Sequence, residues 1–219
     1  MRSRSEVTHW LVEPGIIAVV RVQRAEQILP LSRALVAGGV IAIEITMTTP
    51  SAIAVIERIS TELENDAVVG VGTVLDEETC RQAIRAGAEF VVSPITNAGV
   101  LKEAHAADRP VMLGAYTPTE AQTVHELGAD FVKLFPAEGL GPKYIKALRA
   151  PLPHLKIVPT GGVDLNTSAD FIVAGCVALG VGSSLISAAI LRDENWPELT
   201  RLGREFISIV QAARRTSKD

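Results

Sequence analysis

Two ionisable residues sit where ionisable residues are expensive. Lys133 lies inside the apolar run Phe131-Val132-Lys133-Leu134-Phe135-Pro136. A run this short, stopped by a proline, reads as a buried strand. Burial disfavours an ammonium, and a neutral amine is a nucleophile toward carbonyl carbon. The stretch alone fits equally well a lysine that lies on an edge strand or snorkels its head group to water. Glu44 lies between Ile43 and Ile45 in a second aliphatic run. A carboxylate there is costly unless it is paired or functional. It reads as a structural ion pair with Lys133 or Arg21, or as a general base. The two overlap, because a catalytic Glu–Lys pair is also an ion pair.

Glycine-rich stretches supply a second kind of chemistry. Thr160-Gly161-Gly162-Val163 and Gly180-Val181-Gly182-Ser183-Ser184 are either ordinary turns or cradles in which backbone N–H groups approach an anion. Thr73, after Gly70-Val71-Gly72, is placed to offer a hydroxyl to a carboxylate or carbonyl oxygen. His9, His105, His125 and His154 read as surface residues, without the spacing of metal ligands. A carbon–carbon lyase without a metal needs another electron sink, and a protonated imine on a lysine supplies one.

These residues need a scaffold, and the chain repeats one. An amphipathic segment ends in Ala-Gly or Leu-Gly, and an aliphatic run follows within three residues. The copies are Ala37-Gly38, Ala86-Gly87, Leu127-Gly128 and Ala174-Gly175, each glycine expected as a left-handed helix terminus. Eight strands result: 16–22, 41–47, 67–74, 90–94, 110–115, 131–136, 156–160 and 178–182. Helices are expected to start near Thr49-Pro50, Asp76, Thr117-Pro118, Gly141-Pro142 and Asn166, with a last amphipathic helix from about Trp196 to Arg214. Strand–helix alternation implies a parallel sheet covered by helices. Eight such units in 219 residues match a single-domain α/β (β/α)₈ TIM barrel. An open doubly wound sheet is the runner-up, but no Gly-x-Gly-x-x-Gly follows the first strand. Residues 1–14 are expected to cap the barrel and residues 212–219 to form a solvated polar tail. In a barrel, chemistry sits at the C-terminal strand ends. Those ends collect Arg21, Glu44, Thr46, Thr73, Ser93, Pro94, Lys133, Phe135, Thr160, Gly161, Gly162, Gly182, Ser183 and Ser184.

A net charge of −4 and nine aromatic residues argue against nucleic-acid binding. No apolar run reaches the ~18 residues of a membrane span. Two distant cysteines, Cys80 and Cys176, suit a reducing cytoplasm.

The motifs Ile43-Glu44-Ile45-Thr46, Gly70-Val71-Gly72-Thr73-Val74-Leu75, Val91-Val92-Ser93-Pro94, Val132-Lys133-Leu134-Phe135-Pro136-Ala137-Glu138, Pro159-Thr160-Gly161-Gly162-Val163 and Gly180-Val181-Gly182-Ser183-Ser184 occur in this order over most of the chain. Together they resemble the 2-keto-3-deoxy-6-phosphogluconate (KDPG) / 4-hydroxy-2-oxoglutarate (KHG) aldolase family, class I. The resemblance implies a homotrimeric lyase of Entner–Doudoroff type that needs no cofactor. It implies Lys133 as the Schiff-base lysine and Glu44 as the general acid/base. Arg21, Thr46, Thr73, Pro94, Phe135, Thr160, Gly161, Gly162, Gly182, Ser183 and Ser184 would bind a phosphorylated 2-keto-3-deoxy sugar acid and pyruvate. In one respect the chain departs from the best-known members, which carry an arginine where Thr48 stands. Other members instead carry one at the end of the first strand, as Arg21 does. That leaves the 6-phosphogalactonate epimer open as substrate. A barrel holding pyridoxal phosphate or another phosphate ligand without catalysis, and a phosphosugar isomerase that needs no Lys133, are the rivals from other classes.

Overall fold

Eight aliphatic runs form eight parallel strands, and the alternation of their side chains decides what lies inside the ring. The computed structural model describes residues 2–216. In chain order the elements are α1 (Arg4–Val12), β1 (Ile16–Val20), a short 3-10 turn (Ala25–Gln27), α2 (Ile28–Ala37), β2 (Ala42–Thr46), α3 (Ala52–Glu62), β3 (Val68–Gly72), α4 (Glu77–Arg85) and β4 (Phe90–Val92). They continue with α5 (Ala98–Ala106), β5 (Val111–Ala115), α6 (Pro118–Glu126), β6 (Phe131–Leu134), α7 (Gly141–Arg149), β7 (Ile157–Pro159), α8 (Ser168–Val173), β8 (Leu179–Val181), α9 (Ala188–Asp193) and α10 (Trp196–Thr216). The sheet order is β7-β6-β5-β4-β3-β2-β1-β8. An isolated parallel bridge, Thr160 to Gly180, and the bond from Val177 N to Ile157 O draw the two end strands together. The expected (β/α)₈ barrel is therefore the fold.

Successive strand residues point to opposite faces. In β1, Ile16, Ala18 and Val20 pack outward under the helices, whereas Ile17 joins the inner cluster. That inner layer includes Ala42, Val68, Phe90, Met112, Phe131 and Val158, and Val7 and Leu11 of α1 close it from the N-terminal end. The cap expected over residues 1–14 is thus a helix whose apolar pair plugs the barrel floor. Ser3 and Glu6 form a capping box that fixes its start.

The strands are shorter than expected because the chain leaves the ladder at the mouth. β3 stops at Gly72, and Thr73 takes φ 62°. Asp76 and Thr117 cap α4 and α6, and α7 begins at Gly141, as the sequence implied. Two helices start later than expected, α3 at Ala52 and α8 at Ser168. Gly87, Gly128 and Gly175 take the left-handed conformation expected of them, but Gly38 does not. The neighbouring Gly39 does so, at φ 85°, while a Cβ on Gly38 would press on the Thr200 carbonyl of α10 at 2.8 Å.

The polar tail expected from residue 212 is corrected: α10 runs to Thr216, and residues 217–219 lie outside the described residues. Arg214 of its last turn donates to the carbonyls of Val12, Glu13 and Val177, tying the helix to both ends of the barrel floor. Burial pushes its guanidinium down from the usual range. His105 is corrected too. It is half-buried, with Nε2 3.2 Å from Asp130 Oδ2. Cys80 and Cys176 are free and buried, and burial pushes both thiols up to about 12, so neither is a nucleophile near neutral pH. No described helix is long and apolar enough to cross a membrane.

Candidate active site at the barrel mouth

The inner column, followed two residues at a time toward the strand ends, delivers the site. From Ala42 it reaches Glu44 and Thr46, from Val68 Gly70 and Gly72, and from Met112 Gly114. From Phe131 it reaches Lys133 and Phe135, from Val158 Thr160, and from Ala178 Gly180 and Gly182. Most of the residues singled out from the sequence share this one parity, which no local pattern could display. Ser93 has the other parity: it is fully buried, and its hydroxyl accepts from Ile95 N at 3.3 Å.

Lys133 and Glu44 stand on strands half a barrel apart and meet across the lumen. Lys133 Nζ lies 3.8 Å from Glu44 Oε1, and the two residues are 4 % and 2 % exposed. The edge-strand reading of Lys133 is thereby excluded. At 3.8 Å the pair is an ion pair rather than a hydrogen bond. Among the described residues, Glu44 Oε1 is buried without a hydrogen-bond partner. A buried, unsatisfied carboxylate oxygen costs stability, and such costs persist where a ligand repays them. The Phe135 ring centre is 5.3 Å from Lys133 Nζ, and the ring is partly exposed, forming a hydrophobic lip beside the amine.

The neighbouring strands make this meeting possible by carrying little. Glu44 pairs in register with Gly70, and Lys133 with Gly114. A Cβ on Gly114 would overlap the Pro94 carbonyl and lie 2.6 Å from Ile95 N, so this glycine lets the end of β4 fold against β5 beside the lysine. Gly114 was not singled out from the sequence. The available signal was a glycine inside the aliphatic run Val111–Ala115, which marks close backbone approach.

The other predicted residues ring the mouth. Thr46 donates to the Val20 carbonyl at 3.2 Å and shares a hydrogen bond with Thr48 at 2.9 Å. Arg21 is exposed, one residue beyond β1, and Thr73 is half-buried beyond β3. Thr160 is buried against Gly180. Gly161 and Gly162 take φ 89° and 72°, a consecutive left-handed pair that favours glycine at both positions. Across the closing seam, Gly182 accepts from Leu185 N and Ile186 N, forming a turn that leaves Ser183 and Ser184 exposed. The start of α8 is already engaged, since Asp164 Oδ1 accepts from Asn166 N and Thr167 N. An anion at these loops would therefore meet the Gly161–Gly162 and Ser183–Ser184 backbone rather than the α8 terminus.

A cleft of about 360 Å³ opens beside Phe135, lined also by Pro94, Thr96, Tyr116 and Glu120. Backbone amides of Tyr116 and Thr117 hold the Glu120 carboxyl below the usual carboxylate range. Burial, with Tyr116 and Glu120 nearby, pushes the Tyr144 phenol up. A larger cavity of about 560 Å³ lies at the opposite end, among Arg2, Glu57, Ser60 and Arg85, and contains neither Lys133 nor Glu44. The buried amine–carboxylate pair, not cavity size, makes the mouth the candidate site.

Known proteins align with both the chain and the fold. The chain is 36% identical over 196 residues to 2-dehydro-3-deoxy-phosphogluconate aldolase of Pseudomonas aeruginosa, covering 89% of each. It is 34% identical over 180 residues to 2-dehydro-3-deoxy-6-phosphogalactonate aldolase of Escherichia coli, covering 82% of this chain and 88% of that one. The structure of KDPG aldolase from Legionella pneumophila, with pyruvate captured as a covalent carbinolamine intermediate, superimposes with a TM-score of 0.82. That match has 27% identity and covers 90% of this chain and 96% of the other. A family model described as KDPG and KHG aldolase matches residues 7–202, and the chain belongs to that family.

Proposed function

We propose that this protein is a class I aldolase that cleaves 2-keto-3-deoxy-6-phosphogluconate to pyruvate and glyceraldehyde 3-phosphate, with 4-hydroxy-2-oxoglutarate as a second substrate. The observation that carries the reading is the buried Lys133 amine, 3.8 Å from the unsatisfied carboxylate oxygen of Glu44. Lys133 Nζ attacks the C2 ketone to give a carbinolamine, and Glu44 shuttles protons as water leaves and an iminium forms. Glu44 then takes the C4 hydroxyl proton, directly or through a water. The C3–C4 bond breaks, its electrons pass into the iminium to give an enamine, and the aldehyde departs. Protonation at C3 and hydrolysis release pyruvate and restore the amine.

In this reading Arg21 and Thr73 hold the carboxylate end, with the Thr46 hydroxyl at the same rim. Gly161, Gly162, Gly182, Ser183 and Ser184 hold the phosphate, with Thr160 beneath them. Phe135 and Pro94 keep water from the iminium. The paired left-handed glycines and the exposed Ser183–Ser184 turn support the phosphate cradle. The galactonate epimer is the second reading. Its support is the short Thr46–Thr48 hydroxyl pair where a longer cation would reach further, together with the 34% identical relative of that name.

A panel of 2-keto-3-deoxy sugar acids in both epimers, with and without 6-phosphate, plus 4-hydroxy-2-oxoglutarate, tests this through pyruvate release. The phosphorylated gluconate compound is expected to give the highest kcat/KM. Equal values without phosphate would remove the cradle, and no pyruvate from any member would sink the aldolase reading.

The same reading takes the protein to be a cytoplasmic homotrimer. Leu75, Ile95, Tyr116 and Phe135, 39–51 % exposed, follow four successive strands at one side of the mouth and form an apolar rim suited to a second copy. A monomeric mass in sedimentation equilibrium would overturn this.

A further inference from the structure

A β-strand glycine with an ordinary backbone usually reports a neighbour that needs its space. Gly72, the last residue of β3, is such a case: its φ is not in the left-handed region, so alanine fits its backbone. The three atoms nearest to the space beside it all belong to one side chain. A Cβ on Gly72 would overlap Oε1 of Glu44 and lie 2.5 Å from its Cδ and 2.6 Å from its Cγ. Oε1 is the same oxygen that faces Lys133 at 3.8 Å and lacks a hydrogen-bond partner. Glu44 pairs in register with Gly70, one step below, so its side chain leans toward the mouth over Gly72. With no hydrogen bond recorded at that oxygen among the described residues, the carboxylate is placed by its charge attraction to Lys133 and by shape, and the shape is the notch left by the missing methyl group.

We propose that Gly72 is a positioning residue, whose lack of a side chain sets the Glu44 carboxylate at working distance from Lys133. The proposal rests on the general acid/base reading of Glu44. The atoms in the way, Oε1, Cδ and Cγ of Glu44, belong to a side chain with rotatable bonds rather than to backbone. Gly72→Ala is therefore expected to fold with the carboxylate displaced.

Steady-state kinetics on Gly72→Ala, Glu44→Gln and the double variant test the coupling. A displacement of about 1 Å at a catalytic group costs about 10²-fold. Gly72→Ala is expected to lower kcat by about that factor while KM changes less than about threefold. In the Glu44→Gln background the same substitution is expected to cost under about threefold, because the group it misplaces no longer transfers protons. Undiminished turnover of Gly72→Ala beside an impaired Glu44→Gln overturns the proposal and leaves the aldolase reading standing. A full 10²-fold loss in both backgrounds also overturns it, since the effect would then bypass the carboxylate. Full turnover of Glu44→Gln removes the acid/base reading and the proposal with it. Should Gly72→Ala not fold, Gly72→Ala/Glu44→Ala decides. Melting like Glu44→Ala supports a clash confined to Glu44, and failure to fold overturns it.

Discussion

Lys133→Ala is expected to lose essentially all turnover, on the order of 10⁴-fold or more, as removal of a covalent nucleophile does. Borohydride with pyruvate should add one reduced pyruvate to the wild-type chain, at Lys133, and none to the variant. Stability should fall as well. Lys133 is the buried counterion of Glu44 at 3.8 Å. Breaking a buried ion pair by removing one partner costs about 3–5 kcal/mol. That loss by itself could mimic inactivity, so Lys133→Arg is the sharper probe. It keeps the cation opposite Glu44 but cannot form the imine, and it is expected to stay folded and inactive. If Lys133→Arg or Lys133→Ala turns over at the wild-type rate, or if the adduct forms at another lysine, Lys133 is only a structural cation.

Glu44→Gln is expected to lower kcat by about 10²–10⁴, the range for a positioned general acid or base. The substitution is isosteric, so it respects the notch at Gly72 and removes only the charge and the proton-accepting oxygen. Lys133 is retained, so pyruvate should still be trapped by borohydride, more slowly. Exchange of the pyruvate methyl protons with solvent, which needs the enamine to form and collapse, should fall with turnover. If exchange and turnover both persist, the carboxylate serves only to neutralise Lys133.

Much of the scaffold was legible because barrel folding uses short-range signals. Most aliphatic runs are followed by a helix, and several of those helices carry a local start signal, such as the Asp76 and Thr117 caps. The errors fall where neighbours compete. Gly38 and Gly39 are equally able to adopt a left-handed conformation, and the approach of α10 to Gly38 leaves that role to Gly39. Arg214 looks like tail polarity in the sequence, yet three carbonyls from distant segments accept from it. Helix α8 starts two residues late because Asp164 gathers the amides of Asn166 and Thr167 first.

The sequence by itself determined that an amine and a carboxylate lie in aliphatic strand-forming runs, that glycine-rich loops follow the seventh and eighth strands, and that eight strand–helix units favour a single α/β barrel over an open sheet. Composition, alternation and turn chemistry are local, and they survive in a linear string. Only the tertiary structure decided that Lys133 and Glu44 point into the same lumen and meet at 3.8 Å. That depends on the register between strands, where one residue of slip would turn every side chain to the other face. Only the tertiary structure, too, turned Gly72 and Gly114 from plain strand residues into the spaces that Glu44 and the Pro94 loop occupy. An empty volume has meaning only once the atoms around it are placed.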